Sequence, residues 1–302
     1  MSERIVEGVR LSNPDKILYP EQGITKGDLA DHYAAVAGRM LPHVALRPIT
    51  MVRCPTGRQQ KCFYQRHAGA GVPRQIERVR VPGFDNPYLF IRDLPGLIAL
   101  VQMGVLEIHP WGVTVEKPDL PDRVIFDLDP GEGTGFDEVV AAALDVRARL
   151  DALGLTSFVK TTGGKGLHVV LPIAPVHAWP GVKSWAKRLS QEMAADSPSR
   201  YLTRIGKAER EGRIFIDYLR NDPTSTAVGP YSTRARPGAP VAMPLTWAQV
   251  KAGLDPALYS VRTVAGLLTD EAGDPWSPMT GLRQRLPDLP KTSLRGCDFP
   301  VE

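Results

Sequence analysis

Two acidic residues, Asp127 and Asp129, end the apolar segment VIFDLD. Residues two apart on a β-strand point to the same face, so the sequence predicts two neighbouring carboxylates there. Like charges this close repel each other, and sharing a divalent cation relieves the repulsion. The alternative is structural, with one carboxylate as a strand-end cap and the other on a turn amide. The abrupt end of the apolar segment in Asp-x-Asp favours the metal site.

A third carboxylate, Asp217, is predicted in the middle of an apolar strand and is followed by Arg220 and Asn221. A carboxylate buried in such a strand needs a partner. A shared metal ion and a structural salt bridge with Arg220 both meet that need, and the sequence leaves the two open.

The segment TTGGKGLH, from Thr161 to His168, has the composition of a phosphate-binding turn. Its three glycines allow backbone N–H groups to converge on an anion, while Thr162, Lys165 and His168 add donors. It is not a Walker loop, because glycine follows Lys165. The segment predicts a cradle that suits a triphosphate, with an ordinary glycine-rich hairpin as the alternative. Arg234 and Arg236 would share a strand face and could clamp the same triphosphate.

The elements that must position these groups are predicted from apolar periodicity and end signals. Strands and helices mix without strict βαβ alternation, which predicts an α+β fold. The predicted helices cover 25–40, 93–104, 137–153 and 183–195. The predicted strands cover 105–108, 124–129, 158–162, 167–173 and 213–219.

The composition is that of a globular protein: of 302 residues, 43% are hydrophobic and 23% are charged. No window approaches 18 apolar residues and the N-terminus is charged, so we expect a cytoplasmic protein without a membrane partner. We expect a single domain over 1–302, with a core at about 9–250. A proline-rich extension over about 270–302 would be an ordered tail or a linker.

The cysteine content and the charge distribution limit the kinds of metal site and binding partner that the chain can have. Three cysteines without C-x-x-C spacing argue against a disulfide framework and a four-ligand zinc site, so any metal should be bound by oxygen. Residues 47–80 carry eight basic residues against one acid. This excess predicts a polyanion-binding surface, with a solvated basic face as the alternative.

Several of these motifs, in the same order, resemble one known family. The chain is similar to the archaeo-eukaryotic primase superfamily and, more narrowly, to the polymerase domain of bacterial ligase D, which acts in non-homologous end joining. The resemblance extends from about Val9 to Trp247. It rests on LSNPDKILYP, HPWG, the Asp-x-Asp strand, TTGGKGLH, FIDYLRN and STRARPGAP.

The resemblance implies a role for particular residues. The implied catalytic and metal-binding acids are Asp127, Asp129 and Asp217. The implied nucleotide-binding residues are His109, Thr162, Lys165, His168, Arg220, Ser232, Arg234 and Arg236. The implied DNA contacts are Lys16 and Lys26 at a 5′-phosphate, Arg53 in the basic segment, and Phe63 and Tyr64 stacking on template bases. For the two aromatic residues, packing in the core is the alternative.

The resemblance also implies an activity and partners. We expect a primase-like core of mixed and antiparallel sheets flanked by helices. It would add nucleotides, preferably ribonucleotides, to a primer 3′-OH with two ions of Mn²⁺ or Mg²⁺. The expected partners are DNA ends and gapped DNA with a 5′-phosphate, the ligase and phosphoesterase modules of ligase D, and Ku, in association with the nucleoid.

Two other functions stay open at this stage. VIFDLD also resembles the first motif of haloacid-dehalogenase-type phosphatases, in which Asp127 would be a nucleophile. That family continues with Gly-Thr, whereas Pro130 and Gly131 follow here. A non-catalytic module that binds DNA ends would use the basic 47–80 segment and tolerate loss of all three acids.

Overall fold

Two large β-sheets with flanking helices position the groups described above. The computed structural model describes residues 2–69, 71–204, 206–268 and 273–289. The helices are α1 (Lys26–Val44), α2 (Leu94–Gln102), α3 (Phe136–Ala152), α4 (Trp179–Asp196) and α5 (Val261–Leu267). The strands are β1 (Glu3–Val6), β2 (Val9–Ser12), β3 (Ile17–Tyr19), β4 (Ile24–Thr25), β5 (Ile49–Arg53), β6 (Phe63–Gln65), β7 (Glu77–Val79), β8 (Tyr88–Phe90), β9 (Val105–Pro110), β10 (Arg123–Pro130), β11 (Phe158–Thr161), β12 (Leu167–Pro172), β13 (Tyr201–Leu202), β14 (Ile214–Asp217) and β15 (Pro244–Leu245). The α+β class is confirmed.

The larger sheet has six strands in the order β13-β14-β10-β12-β11-β15. Every pair is antiparallel except β13 with β14. Helices α3 and α4 both contact β10, and Phe126 on that strand meets Trp185 of α4 at 6.5 Å between ring centroids. Because side chains alternate along a strand, Asp127 and Asp129 point away from these helices.

The smaller sheet has five strands, in the order β6-β5-β8-β7 with β9 also paired to β5. Helix α2 packs on β9 and on α1. Thr25 caps α1 in a reciprocal capping box with Asp28. The helix runs past the predicted end at Met40 to Val44, through Pro42.

The segment 273–289 packs over the domain, as predicted for an ordered tail. Trp276 is 1% exposed, and its indole N–H donates to the carbonyl of Val159 at 3.0 Å. Its ring also packs edge-on against His43 and Phe158. The rest of the proline-rich extension, including Cys297 and Pro300, lies outside the described residues.

One expectation about cysteines needs correction. Cys54 and Cys62 form a disulfide with their Cα atoms 4.3 Å apart. The eight-residue separation is closed by a turn that enters β6, a pairing that the odd cysteine count and the missing C-x-x-C spacing did not predict. None of the described helices is long and apolar enough to cross a membrane.

Candidate active site

A row of four charged or titratable side chains crosses the large sheet on one face. Lys160 of β11 is the direct partner of His168 on β12, His168 pairs with Asp127 on β10, and Asp127 pairs with Asp217 on β14. Directly opposite residues of antiparallel strands lie on the same face. All four side chains are buried, with at most 7% exposed. The topology therefore brings together acids that lie 90 residues apart in sequence.

Two basic groups hold the central carboxylate. Asp127 lies 3.1 Å from Nε2 of His168 and accepts a 3.0 Å hydrogen bond from Nε of Arg220. The same guanidinium lies 3.2 Å from Asp217. Burial opposes ionisation of Asp127, but the charges of His168 and Arg220 outweigh it and hold the pKa of Asp127 below its usual range. Burial lowers the pKa of His168 to about 4.

The other two acids, Asp129 and Asp217, are less stable in their ionised form here than in water. Burial, followed by the charge of Asp127, raises the pKa of Asp129 to about 6. Burial also raises the pKa of Asp217, despite its contact with Arg220. Excess negative charge on a buried face is the condition that a bound cation relieves. The donor chemistry of the three carboxylates therefore fits hard divalent ions.

The side chains do not form a preassembled metal cage. Among the residues that the structure describes, no group of three or more His, Cys, Asp or Glu is arranged to hold an ion. Arg220 instead supplies the positive charge between Asp127 and Asp217. The salt bridge that the sequence left open is thus present at the acids predicted to bind metal.

The glycine-rich turn lies at the edge of this face. Oγ1 of Thr162 accepts from the N–H of Gly166 at 3.2 Å, which closes the turn. Gly163 has φ +62°, and a Cβ at Gly163 or Gly164 would lie under 3.0 Å from Arg234 or Arg236 respectively. Glycine is thus required at Gly163, whereas the tip of the Arg236 side chain could shift to admit a Cβ at Gly164. Nη1 of Arg234 donates to the carbonyl of Thr162 at 2.6 Å.

A cavity of about 600 Å³ opens where these elements meet. It brings together the acids Asp127 and Asp129 with most of the predicted nucleotide-binding residues. Those among them that line it are His109, Thr162, Lys165, His168, Arg220, Arg234 and Arg236. The sequence did not predict Thr50, Arg66 or the loop 224–228, which complete the wall together with Tyr64.

Two polar residues of the motifs have structural positions instead. Ser232 is fully buried and is not among the described residues that line the cavity; its Oγ accepts from the N–H of Ile108 at 2.9 Å. The side chain of Asn221 accepts from the N–H of Ile125 and donates to its carbonyl, both at 2.8 Å. Ser232 and Asn221 therefore brace β9 and β10.

A second cavity, of about 250 Å³, lies beside Lys26 and Arg53. Nζ of Lys26 donates to the carbonyl of Ser12 at 2.8 Å, and Gln102 bonds to both Ser12 and Lys26. Burial, followed by the charge of Lys16, lowers the pKa of Lys26. Lys16 itself is not among the described residues that line this cavity. Of the two lysines predicted to bind a 5′-phosphate, only Lys26 therefore lines this cavity.

The aromatic pair on β6 faces outward. Phe63 is 39% exposed and Tyr64 is 72% exposed, so neither belongs to the core. The guanidinium of Arg53 lies 5.4 Å from the ring centroid of Phe63. In the basic segment 47–80, Arg47 is buried in an ion pair with Asp122. The cations of this segment that are exposed lie further along the chain: Lys61, Arg66, Arg74, Arg78 and Arg80. The segment is a basic face only in part.

Two buried charged residues near the cavity were missed by sequence reasoning. Glu107 contacts His109 and Arg234, and Lys160 ends the row of charged groups next to His168. A signal existed for Glu107, because it lies on the predicted strand 105–108, two residues before His109. The strand continues to Pro110, so the two side chains share a face.

Comparison with known proteins decides the family. The family model described as the LigD primase-polymerase domain matches residues 25–276. The chain belongs to this family. LigD primase-polymerase domains are nucleotidyltransferases that act on DNA ends in non-homologous end joining.

Relatives and a solved structure agree with this assignment. The chain is 35% identical over 289 residues to the multifunctional non-homologous end joining protein LigD of Pseudomonas aeruginosa, covering 94% of this chain and 34% of that protein. It is 34% identical to LigD of Mycolicibacterium smegmatis, covering 90% of this chain and 36% of the relative. The chain thus spans about a third of the length of these relatives.

The structural match covers nearly all of its counterpart. The polymerase domain of Mycobacterium tuberculosis ligase D, solved in complex with DNA, matches with a TM-score of 0.83 and 33% identity. The match covers 92% of this chain and 99% of that domain. The primase-like architecture expected from the sequence is therefore confirmed.

Proposed function

We propose that this LigD-type domain binds a nucleoside triphosphate in the 600 Å³ cavity and transfers its nucleotide to a DNA 3′-hydroxyl. The observation that carries the proposal is the composition of that cavity. The carboxylates Asp127 and Asp129 line the same space as four flexible or planar cations, Lys165, Arg220, Arg234 and Arg236. Acids that attract divalent ions and cations that attract phosphates are both needed for nucleotidyl transfer.

The roles of the residues follow from their chemistry. Arg234 and Arg236 offer planar donors that match phosphate oxygens, and the exposed Lys165 adds a mobile charge at the glycine turn. Together they would hold the triphosphate in line with the primer hydroxyl, so that catalysis is mostly positioning and charge neutralisation. The proposed division of labour needs no covalent enzyme intermediate.

Asp127, Asp129 and Asp217 would hold two divalent cations, Mn²⁺ or Mg²⁺. When bound, such ions activate the attacking hydroxyl and neutralise charge on the leaving pyrophosphate. Asp127 and Asp217 would then exchange the guanidinium of Arg220 for an ion of higher charge. Released from the acids, Arg220 would be available to the triphosphate.

The DNA contacts are proposed at the end of β5 and on β6. Lys26, with Arg53 beside the 250 Å³ cavity, would bind the 5′-phosphate of a gap or break, with Lys16 at the rim. The exposed Phe63 and Tyr64 offer faces on which template bases can stack. We propose both template-dependent gap filling and non-templated addition, with ribonucleotides preferred over deoxyribonucleotides.

The proposed partners and cellular location are inferred from the relatives. The ligase and phosphoesterase modules would act in the same longer chain or in trans, and Ku would share the DNA end. The domain would work at the nucleoid in the cytoplasm. The name of the multifunctional relatives supports the further modules, and the DNA complex of the matched domain supports action at DNA.

One experiment separates the proposal from its two rivals. Wild-type protein is incubated with labelled NTP, with or without 5′-phosphorylated gapped DNA, and extended primer and pyrophosphate are measured. The proposal expects both products only with DNA present. Release of inorganic phosphate from a small phosphoester such as p-nitrophenyl phosphate without DNA would favour the phosphatase. DNA binding without either product would favour the non-catalytic module.

A further inference from the structure

Glu107 is a buried carboxylate that lies behind the nucleotide cavity. It is on β9, 6% exposed, and two residues from His109 on the same strand face. His109 and Arg234 line the 600 Å³ cavity, whereas Glu107 borders a neighbouring cavity of about 420 Å³. A substrate in the main cavity would therefore touch the partners of Glu107 rather than Glu107 itself.

A single carboxylate joins three groups here. Oε1 accepts from the backbone N–H of Ala235 at 2.9 Å. Oε2 accepts from Nε2 of His109 at 2.8 Å and lies 2.9 Å from Nε of Arg234. The far end of the Arg234 guanidinium donates to the carbonyl of Thr162. Arg234 is thus fixed at one end by Glu107 and at the other by the glycine turn.

The ionised state of Glu107 determines which nitrogen of its partner His109 carries a proton. Burial alone would raise its pKa, but His109 and Arg234 outweigh burial and hold the pKa at about 2. An ionised carboxylate accepts hydrogen bonds and donates none. His109 therefore carries a proton on Nε2, which it donates to Glu107.

We propose that Glu107 is a positioning residue for the incoming nucleotide. It holds the imidazole of His109 and the guanidinium of Arg234 in the arrangement that receives the nucleotide, and it anchors the 232–236 segment through Ala235. The inference rests on the proposed function, because it assumes that the cavity binds a nucleoside triphosphate. It adds a residue from outside the cavity to that site.

The direct test is Glu107→Gln. The amide oxygen can still accept from Ala235, but the NH₂ group would face Nε2 of His109 and the guanidinium of Arg234, neither of which can accept from it. We expect the KM for NTP to rise about tenfold, the scale of one charge-assisted hydrogen bond, with kcat little changed. Equilibrium binding of labelled ATP to the free protein should weaken by the same factor.

A matched control removes a buried carboxylate elsewhere. Asp122 lies between Arg47 and Arg123 and is not among the described residues that line the nucleotide cavity. We expect Asp122→Asn to lower the melting temperature but to leave the KM for NTP unchanged. Glu107→Asp, which keeps the charge but withdraws it by one methylene, provides a second variant if Glu107→Gln does not fold; it should also raise KM.

The outcomes separate this inference from the proposed function. If wild-type protein adds nucleotides and the folded Glu107 variants keep the wild-type KM and ATP affinity, Glu107 is only structural and the inference is wrong. If wild-type protein adds no nucleotide under any metal, the proposed function fails. In that case an ATP affinity that still falls in Glu107→Gln supports the positioning role, and an unchanged affinity overturns it.

Discussion

Asp127 and Asp217 are direct partners across two antiparallel strands, and one guanidinium lies between them. Nε of Arg220 is 3.0 Å from Asp127 and 3.2 Å from Asp217. Without that positive charge, two buried carboxylates on one sheet face would repel each other. The close pairing of Asp127 and Asp217 raises the free energy of their ionised forms. The same pairing makes the two carboxylates suitable ligands for a divalent cation.

Replacing Asp127 tests its role as a metal ligand. We expect Asp127→Asn to reduce nucleotide addition about a hundredfold or more, the scale of losing one preorganised electrostatic group. The fold and DNA binding should be preserved, because Asn keeps the shape of the side chain. Single-turnover addition and DNA anisotropy measure the two effects. Asp145→Asn, at a partly exposed acid of α3 outside the cavity lining, is the control. Substantial residual synthesis in Asp127→Asn would rule out this role.

Lys26 should recognise a phosphate rather than DNA in general. We expect Lys26→Ala to weaken binding to 5′-phosphorylated gapped DNA about tenfold, because an ammonium–phosphate hydrogen bond is lost. Binding to the same DNA with a 5′-hydroxyl should hardly change. Lys16→Ala is the matched comparison and should have the smaller effect, since Lys16 lies outside the 250 Å³ cavity. An equal loss on both DNAs would make Lys26 a general backbone contact.

Buried His32 should make stability depend on pH. Burial lowers its pKa to about 4, although its Nε2 donates to the carbonyl of Tyr231. Because the folded pKa lies below the unfolded value of about 6.5, the unfolded chain binds more protons between these values, and stability is lost as the pH falls. From about pH 7 to pH 5 we expect a loss of about 2 kcal/mol from this group.

The variant His32→Gln keeps a donor for Tyr231 but does not titrate. Denaturant unfolding at both pH values should therefore show a smaller decrease in the free energy of unfolding for His32→Gln than for the wild type. Parallel pH dependence in the two proteins would refute the assignment.

Trp276 should anchor the C-terminal segment. Its ring is almost fully buried and its indole N–H is bonded to β11. Trp276→Ala should lower the free energy of unfolding by about 3–5 kcal/mol, as expected for a large buried aromatic side chain. Leu258→Ala, at a side chain that is 59% exposed, is the control and should stay within about 0.5 kcal/mol. A similarly small change for Trp276→Ala would show that the segment is dispensable.

Much of the fold and most of the cavity could be predicted from local sequence. Alternating apolar residues located β10, β12 and β14, and the glycine turn marked the loop between β11 and β12. The pairing of Asp127 with Asp217 could not be derived from periodicity, because strand order depends on long-range packing. Gln102 was missed for the same reason, since Ser12 and Lys26 are brought close to it only by the fold. The Cys54–Cys62 disulfide is local and was missed because its spacing is not C-x-x-C.

Side-chain roles were harder to predict than positions. Ser232 belongs to a motif whose arginines line the cavity, yet its hydroxyl is used by the backbone of β9. Exposure of Phe63 and Tyr64 excluded packing in the core, an alternative that composition alone left open. Glu107 had a local signal through His109, but only the fold brings Arg234 and Ala235 to the same carboxylate.

The most direct test of metal-dependent nucleotidyl transfer by this domain is primer extension on 5′-phosphorylated gapped DNA. Each single NTP and dNTP is supplied with Mn²⁺, with Mg²⁺ or with a chelator. We predict nucleotide addition that requires a metal and is stronger with NTPs than with dNTPs. No addition with either metal, by protein that still binds the DNA, would contradict it.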